Sequence, residues 1–345
     1  MRALLIVNPN STSQDAELLR QIIPILQDVD GLTLHVKHTH NQGHAEKMVS
    51  GLTRDDFDLI VALGGDGTVN EVINGLLGAA DDEHPDPATL PRLAVIPTGS
   101  ANVFVRALGF PADPVEATEA LAEHIEQENT RRICLGTWNN RWFAVNAGFG
   151  LDADVLARVD RARERGFAAT PLRYLMVSLQ TLSRASHNPP VINAYARSRD
   201  GEELEVSEVP VLLASNTNPW TFLGPLPVVT NPENSFDEGL GLFGLRDLQG
   251  FSGLVAVLHL FGADRKGRLS SLTKGSTIMF DDAEFVRLSC PSPHRFQADG
   301  ESAGEFTNVE LRSVVGAIEV YVPHGHRKPY ERSVREVLRD FIRLS

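Results

Sequence analysis

The chain is poor in cysteine, in basic charge and in long apolar runs, and each shortage removes a class of protein. Only Cys134 and Cys290 occur in 345 residues, far apart, so no disulfide framework is implied. The 32 Lys and Arg are outnumbered by 45 Asp and Glu, giving a net charge of −13. That balance argues against nucleic acid as a general partner and against broad adsorption to anionic lipid. The longest apolar stretch, Gly253 to Ala263, is interrupted by His259 and cannot span a bilayer. Ala3 to Val7 is too short for a signal-peptide core and reads as a first strand. The string Gly-x-x-x-x-Gly-Lys-Ser/Thr of P-loop proteins is absent. Gly148-Phe149-Gly150-Leu151-Asp152-Ala153 fits a loose dinucleotide fingerprint, but no acidic residue lies between Glu164 and Asp200 to hold a ribose. We read that segment as a turn and discount a nicotinamide enzyme. The expectation is a cytoplasmic protein that meets any membrane substrate from the surface, at the inner face, without a transmembrane segment.

What is present is a glycine-rich junction. Leu59-Ile60-Val61-Ala62-Leu63 runs straight into Gly64-Gly65-Asp66-Gly67-Thr68-Val69-Asn70-Glu71. A buried strand meets a turn that favours glycine, and a helix follows. Gly64, Gly65 and Gly67 leave no Cβ between the backbone and a ligand. Thr68 and Glu71 have capping-box spacing, which predicts a helix start at Thr68. Bare N–H groups at a helix N-terminus suit a phosphate. A second turn of this kind, Pro97-Thr98-Gly99-Ser100-Ala101-Asn102, follows the apolar run Leu93-Ala94-Val95-Ile96. Two such turns on one sheet edge can hold a triphosphate.

The length suits about two domains. Through residue 130 the pattern alternates: strands at 2–7, 32–38, 57–63 and 92–96, and helices near 14–28, 43–52, 69–78, 100–108 and 114–128. That is an α/β domain with a parallel sheet, whose ligands bind beyond the C-terminal strand ends. From 131 to 325 short β-type runs dominate, at 131–138, 141–147, 191–199, 203–215, 239–245, 276–281, 284–290, 294–298 and 314–322. Asp200-Gly201 is a hairpin turn among them. This predicts an antiparallel, β-sandwich-like second domain. Helical patterns fall at 152–164, 171–185 and 248–264, and residues 326–345 read as a C-terminal helix packing back. The fold class is therefore α/β plus mainly β.

Asn8-Pro9, Gly64 through Val72, Asn74-Gly75, Gly99-Ser100-Ala101-Asn102, Asn146 through Gly150, Phe236-Asp237-Glu238-Gly239 and Asp299-Gly300-Glu301 follow one another across residues 1–322. In these motifs the sequence resembles the diacylglycerol kinase catalytic-domain family, which includes bacterial lipid kinases and is related to sphingoid-base kinases. The Gly-Gly-Asp-Gly-Thr block is shared with NAD kinases; Val-Asn-Glu-Val and the later Asp-Gly-Glu narrow the likeness to lipid kinases. The resemblance implies ATP bound between an N-terminal nucleotide-binding domain and a β-rich lipid-substrate domain. By motif, the nucleotide contacts would be Asn8, Pro9, Asn10, Ser11, Thr12, Thr39, Gly64, Gly65, Asp66, Gly67, Thr68, Val69, Asn70, Gly99 and Ser100. Asp66 would organise the water shell of Mg²⁺ and phosphate. Glu301 would be the base that takes the lipid hydroxyl proton, with Asp299 orienting it or the metal water. An Asp-Gly turn with a solvated Glu is the plain alternative, and the resemblance favours the functional one. Ser235, Glu238 and Leu240 would hold a structural Mg²⁺ through a carboxylate and carbonyls.

The expected activity is transfer of the γ-phosphoryl group of MgATP to a lipid hydroxyl, foremost that of diacylglycerol. The alternatives are a kinase for a sphingoid base, another lipid alcohol or NAD, and a nucleotide-binding regulator with little turnover. The last is motivated by two departures: Val103 and Cys134 stand where the family commonly has acids. The family likeness leaves a homodimer open. His35, His38, His40 and His44 read as surface groups rather than a Zn²⁺ site. Arg158, Arg161, Arg163 and Arg165, like Arg265, Lys266 and Arg268, read as solvated helix faces rather than a membrane patch.

Overall fold

The computed structural model describes residues 1–9, 15–80, 84–149, 191–223, 226–246 and 277–324. The helical patterns at 152–164, 171–185 and 248–264, the C-terminal helix, both arginine-rich spots and Asn10, Ser11 and Thr12 lie outside them. The described residues gather into two compact units, one from 1–144 and 314–324, the other from 145–313.

The first unit begins with β1 (Arg2–Val7), α1 (Asp15–Gln27), β2 (Thr33–His38), α2 (His44–Val49), β3 (Leu59–Gly64), α3 (Asp66–Leu77), β4 (Arg92–Pro97), α4 (Val103–Ala107) and α5 (Pro114–Glu126). The antiparallel pair β5 (Thr130–Trp138) and β6 (Arg141–Phe143) follows. β4, β3, β1 and β2 lie side by side, all parallel. β1 and β3 are buried along nearly their whole length because helices cover both sheet faces, which is why they read as unbroken apolar runs. Register does the positioning: Gly64 pairs with Pro97 and Leu63 with Val7, so the ends of β1, β3 and β4 finish level. The predicted helix at 100–108 is shorter than its pattern, spanning only Val103–Ala107.

The second unit holds β7 (Asn146–Phe149), β8 (Ile192–Ser198), β9 (Glu203–Val209), β10 (Val211–Ser215), the small pair β11 (Thr221–Leu223) and β12 (Leu226–Val228), β13 (Leu240–Leu245), β14 (Thr277–Ala298) and the start of β15 (Glu301–Tyr321). Its pairings are antiparallel throughout, as the alternating pattern predicts. The Asp200-Gly201 hairpin forms, with Gly201 at φ 85° and its N–H on the Ser198 carbonyl. The three short runs expected over 276–298 are one strand, β14. Bulges near Ala283, between Ser289 and His294, and at Phe296/Gln297 interrupt its alternation and hide its continuity. The last residues of β15 return to the first unit, where Val320 pairs with Leu93.

Candidate active site

The first glycine turn is built as a backbone cradle. Gly65 is extended and stands as the N-cap of α3, with no side chain capping the helix. The first i to i−4 bond runs from the Val69 N–H to the Gly65 carbonyl, at 3.2 Å. The amides of Asp66, Gly67 and Thr68 therefore have no acceptor within their helix. This corrects the expected start at Thr68: the helix begins two residues earlier, and the capping box does not form. Thr68 Oγ1 instead accepts from Asn8 Nδ2 at 3.0 Å. Its side chain lies across Gly64, where any Cβ would stand 2.4 Å from Thr68 Oγ1. Glu71 turns the other way and accepts from the Gly43 and Ala45 N–H groups, at 2.7 and 3.0 Å. The N-terminus of α2, capped by a glycine with no side-chain acceptor, draws that carboxylate away.

The second turn is held by two side chains. Asn102, left-handed at φ 50°, accepts from the Gly99 N–H and donates to the Gly99 carbonyl, both at 2.8 Å. Asp66 reaches across from α3. Its Oδ2 accepts from the Val103 N–H at 3.0 Å and its Oδ1 from the Phe104 N–H at 2.9 Å. Burial pushes the Asp66 carboxyl above its ordinary pKa, against the opposing pull of those two amides and of the Arg106 charge. Asp66 is thus the acceptor for the first amides of α4 and ties the two turns together. Ser100 is exposed at the tip of the second turn.

The structure brings Gly64 through Thr68, Asn8, Gly99 and Ser100 to one edge of the first unit. Pro9 is exposed just beyond Asn8. Thr39 directly follows β2, is buried, and donates its N–H to the Val7 carbonyl at 2.8 Å. Its neighbours His38 and His40 are exposed, as alternation predicts. Val69 is core, and Asn70 donates from Nδ2 to the Trp142 carbonyl at 3.0 Å. Asn74, one turn later, donates to the same carbonyl and accepts the Trp142 N–H, at 3.1 and 3.0 Å. It completes a strand-like pair for β6. A Cβ on Gly75 would meet the Glu46 carbonyl at 2.3 Å, so this glycine permits α2 and α3 to touch. Asn70 and Asn74 thus tie α3 to β6. Asn70 and Asn74 carried an i, i+4 spacing that could have signalled a shared partner. Nothing in the local sequence pointed to the structural roles of Asn102 and Trp142.

Val103 and Cys134, the two departures, are both buried, and Val103 offers Asp66 only its backbone N–H. Among the described residues no three His, Cys, Asp or Glu side chains gather as a metal site. His35 instead packs edge-on against Phe57, and His40 donates its backbone N–H to His44 Nδ1.

In the second unit, Asp299 (φ 50°) and Gly300 (φ 80°) make the two-residue turn between β14 and β15, with Ala298 paired to Glu301. Left-handed backbone at both turn positions matches the twist of the strands. Asp299 is buried rather than solvated. Its Oδ1 accepts from the Val145 and Asn146 N–H groups at 2.8 and 3.1 Å, and its own N–H donates to the Asn146 carbonyl at 2.8 Å. Glu301, the first residue of β15, is exposed. The Ser235 to Leu240 segment is a turn: the Glu238 N–H donates to the Ser235 carbonyl at 3.2 Å and the Gly239 N–H to Asp282 Oδ1 at 2.6 Å. Glu238 is exposed and Leu240 buried. The Ser235 carbonyl and the Glu238 carboxylate are oxygen donors of the kind Mg²⁺ takes, within one short loop.

Two glycine turns on a parallel-sheet edge and an Asp-Gly-Glu hairpin in a β-rich unit define a two-domain fold of the kinase type. Residues 2–138 match the family model of the diacylglycerol kinase catalytic domain. The chain is 25% identical over 325 residues to the diacylglycerol kinase of Staphylococcus carnosus, covering 93% of this chain and 95% of that one. It is 34% identical over 175 residues to the "Probable lipid kinase YegS-like" protein of Xanthomonas oryzae pv. oryzae, covering 51% of this chain and 54% of that one. A crystal structure of a diacylglycerol kinase from Bacillus anthracis shares the fold, with a TM-score of 0.66 at 21% identity, over 94% of this chain and 98% of that one. The chain is thus similar to the diacylglycerol kinase catalytic-domain family, through a model that matches residues 2–138 and through relatives along most of its length, and is an enzyme of the kinase type. No helix among its described residues is long and apolar enough to cross a membrane.

Proposed function

We propose that this enzyme transfers the γ-phosphoryl group of MgATP to the hydroxyl of diacylglycerol, giving phosphatidic acid. The observation that carries the reading is the uncapped first turn of α3 beside Gly99. Three backbone N–H groups lack helical acceptors, and no Cβ on Gly65 or Gly99 screens them. Such a surface suits an anionic phosphate chain. In this reading the amides of Asp66, Gly67 and Thr68 seat phosphate oxygens, and Ser100 and Asn8 supply polar contacts at the rim. Asp66 keeps the second turn in place through its two amide bonds. Mg²⁺ would neutralise charge on the β- and γ-phosphates. Ser235, Glu238 and Leu240 would hold a second, structural ion. Glu301 takes the proton of the acceptor hydroxyl as its oxygen attacks the γ-phosphorus and the bond to the β-phosphate oxygen breaks.

The test is a panel of lipid alcohols with labelled ATP and Mg²⁺, read as labelled lipid and released ADP. Label in phosphatidic acid supports the proposal. Label only in a sphingoid base or in soluble NAD would reassign the acceptor. ATP binding with no ADP from any acceptor would favour a regulator, the reading that buried Val103 and Cys134 motivate.

A further inference from the structure

Gln297 is 3% exposed, and neither its Oε1 nor its Nε2 meets a hydrogen-bond partner among the described residues. A primary amide withdrawn from water with both ends unmatched is rare, because the unfolded chain would satisfy both. Its surroundings follow from strand register. Gln297 pairs with Gly148, Gly148 with Leu213, and Leu213 with Phe243. Residues opposite one another on antiparallel strands share a face, so Gln297 stands between Ser302 of β15 on one side and this apolar row on the other. Two residues along β7, Asn146 lies on that same face and donates from Nδ2 to the Trp220 carbonyl at 3.3 Å. Trp220 packs with Leu213, Phe243 and Val228 in one buried cluster, and its Nε1 is also buried without an acceptor. An indole N–H and a primary amide, both unmatched, therefore border the same apolar surface.

The chemistry of these groups selects a ligand. Trp220 Nε1 and Gln297 Nε2 require acceptors, Gln297 Oε1 requires a donor, and the floor is hydrocarbon. Ester carbonyls beside a hydroxyl on acyl chains supply all three. An anionic headgroup would need a cation, and the buried polar side chains of the described residues include no Lys or Arg. A sphingoid ammonium would need a carboxylate. The buried acid among the described residues of this unit, Asp299, already directs Oδ1 at the Val145 and Asn146 amides.

We propose that Gln297 and Trp220 form the polar end of a site in the C-terminal unit that recognises a neutral acylglycerol by its ester carbonyls. The inference rests on the lipid kinase reading and names how the acceptor is chosen. Gln297 lies in the hairpin that ends in the Asp299-Gly300 turn, just ahead of Glu301.

The test uses the full chain with dioleoylglycerol, its di-ether analogue, which lacks the carbonyls, and sphingosine, each in phosphatidylcholine mixed micelles. The wild-type KM for the ester lipid should be about tenfold below that for the ether, the scale of one lost hydrogen bond. Gln297→Leu and Trp220→Phe should each erase most of that preference while kcat changes by less than about twofold. An unchanged preference in both variants would overturn the site. So would a Gln297→Leu protein that melts higher with the same KM, since the amide would then be only an unsatisfied core group. If Trp220→Phe fails to fold, the near-isosteric Gln297→Leu carries the test. If the wild type phosphorylates no lipid, the kinase reading fails separately, and cosedimentation with phosphatidylcholine vesicles containing each lipid decides the site. Ester-selective binding lost in Gln297→Leu would sustain it, and equal binding of ester and ether would end it.

Discussion

Gly65 and Gly99 meet backbone to backbone: a Cβ on Gly99 would stand 2.7 Å from the Gly65 Cα and 2.9 Å from Asn102 Oδ1. The β3–β4 register, which pairs Gly64 with Pro97, sets this contact. Neither obstacle yields easily, since one is backbone and the other is fixed by two hydrogen bonds to Gly99 itself. Gly99→Ala should therefore cost about 1–3 kcal/mol of stability by overpacking. It should also part the two turns and weaken MgATP binding by about tenfold or more. Urea unfolding and titration calorimetry check both. Unchanged affinity in a folded variant would remove the paired turns from the nucleotide site. Gly65→Ala, whose Cβ would sit 3.1 Å from the Gly99 Cα, should be milder on both measures.

The parallel sheet was legible because its strands are buried on both faces. Leu59 to Leu63 needs no partner to announce a central strand. The turns after β3 and β4 were legible because glycine beside an apolar run has few other uses. What stayed hidden depends on contacts distant in sequence. Glu71 has capping-box spacing from Thr68, yet it serves α2, because only the fold brings Gly43 and Ala45 within its reach. Asp66 reads as an organiser of a metal and phosphate water shell, and nothing local announces that it also accepts from the first amides of a helix 37 residues away. The Asp299-Gly300 turn was readable as a turn; the burial of Asp299 was not, since its partners Val145 and Asn146 lie more than 150 residues upstream. Asn74, read only as part of the family motif, completes the edge of Trp142.

Glu301→Gln should separate chemistry from binding. The side chain is exposed at the head of β15, so the substitution removes a charge without opening a cavity. If Glu301 takes the acceptor proton, lipid-dependent ADP formation should fall by about 10² to 10⁴-fold, the range for a general base. MgATP affinity and melting temperature should hold. Turnover within about threefold of wild type would transfer the base to another residue.

Asp299 offers a contrast within the same turn. Its left-handed backbone is one that Asp and Asn tolerate, and its Oδ1 satisfies two buried amides. Asp299→Ala should leave both amides unpaired and cost about 2–4 kcal/mol, on the scale of two lost buried acceptors. Asp299→Asn keeps an acceptor oxygen and the backbone preference, so it should recover at least half of that loss. Chemical denaturation measures both. If Asp299→Asn is fully stable yet inactive, the carboxylate acts on the reaction as well as on the turn. If stability and activity recover together, its role is to hold the hairpin that carries Glu301.

Glu319 gives the first unit an acid-sensitive clamp. Its carboxylate accepts from Arg54 Nη2, from Arg92 Nε at 3.0 Å and from Thr130 Oγ1 at 2.6 Å, fastening the end of β15. Burial alone would raise its pKa. The Thr130 and Arg54 hydrogen bonds and the charges of Arg92 and Arg54 outweigh burial and hold it below the ordinary value of 4.5. The folded state thus favours the ionised form. Its contribution to stability is present in full above the unfolded value and is lost as pH falls through the lower folded value. Urea unfolding of the wild type should therefore show stability declining below about pH 5. Glu319→Gln should be less stable at neutral pH and decline less on acidification. The two curves should converge at low pH, where the wild-type carboxyl is also neutral; parallel curves would mean that the clamp does not titrate with folding.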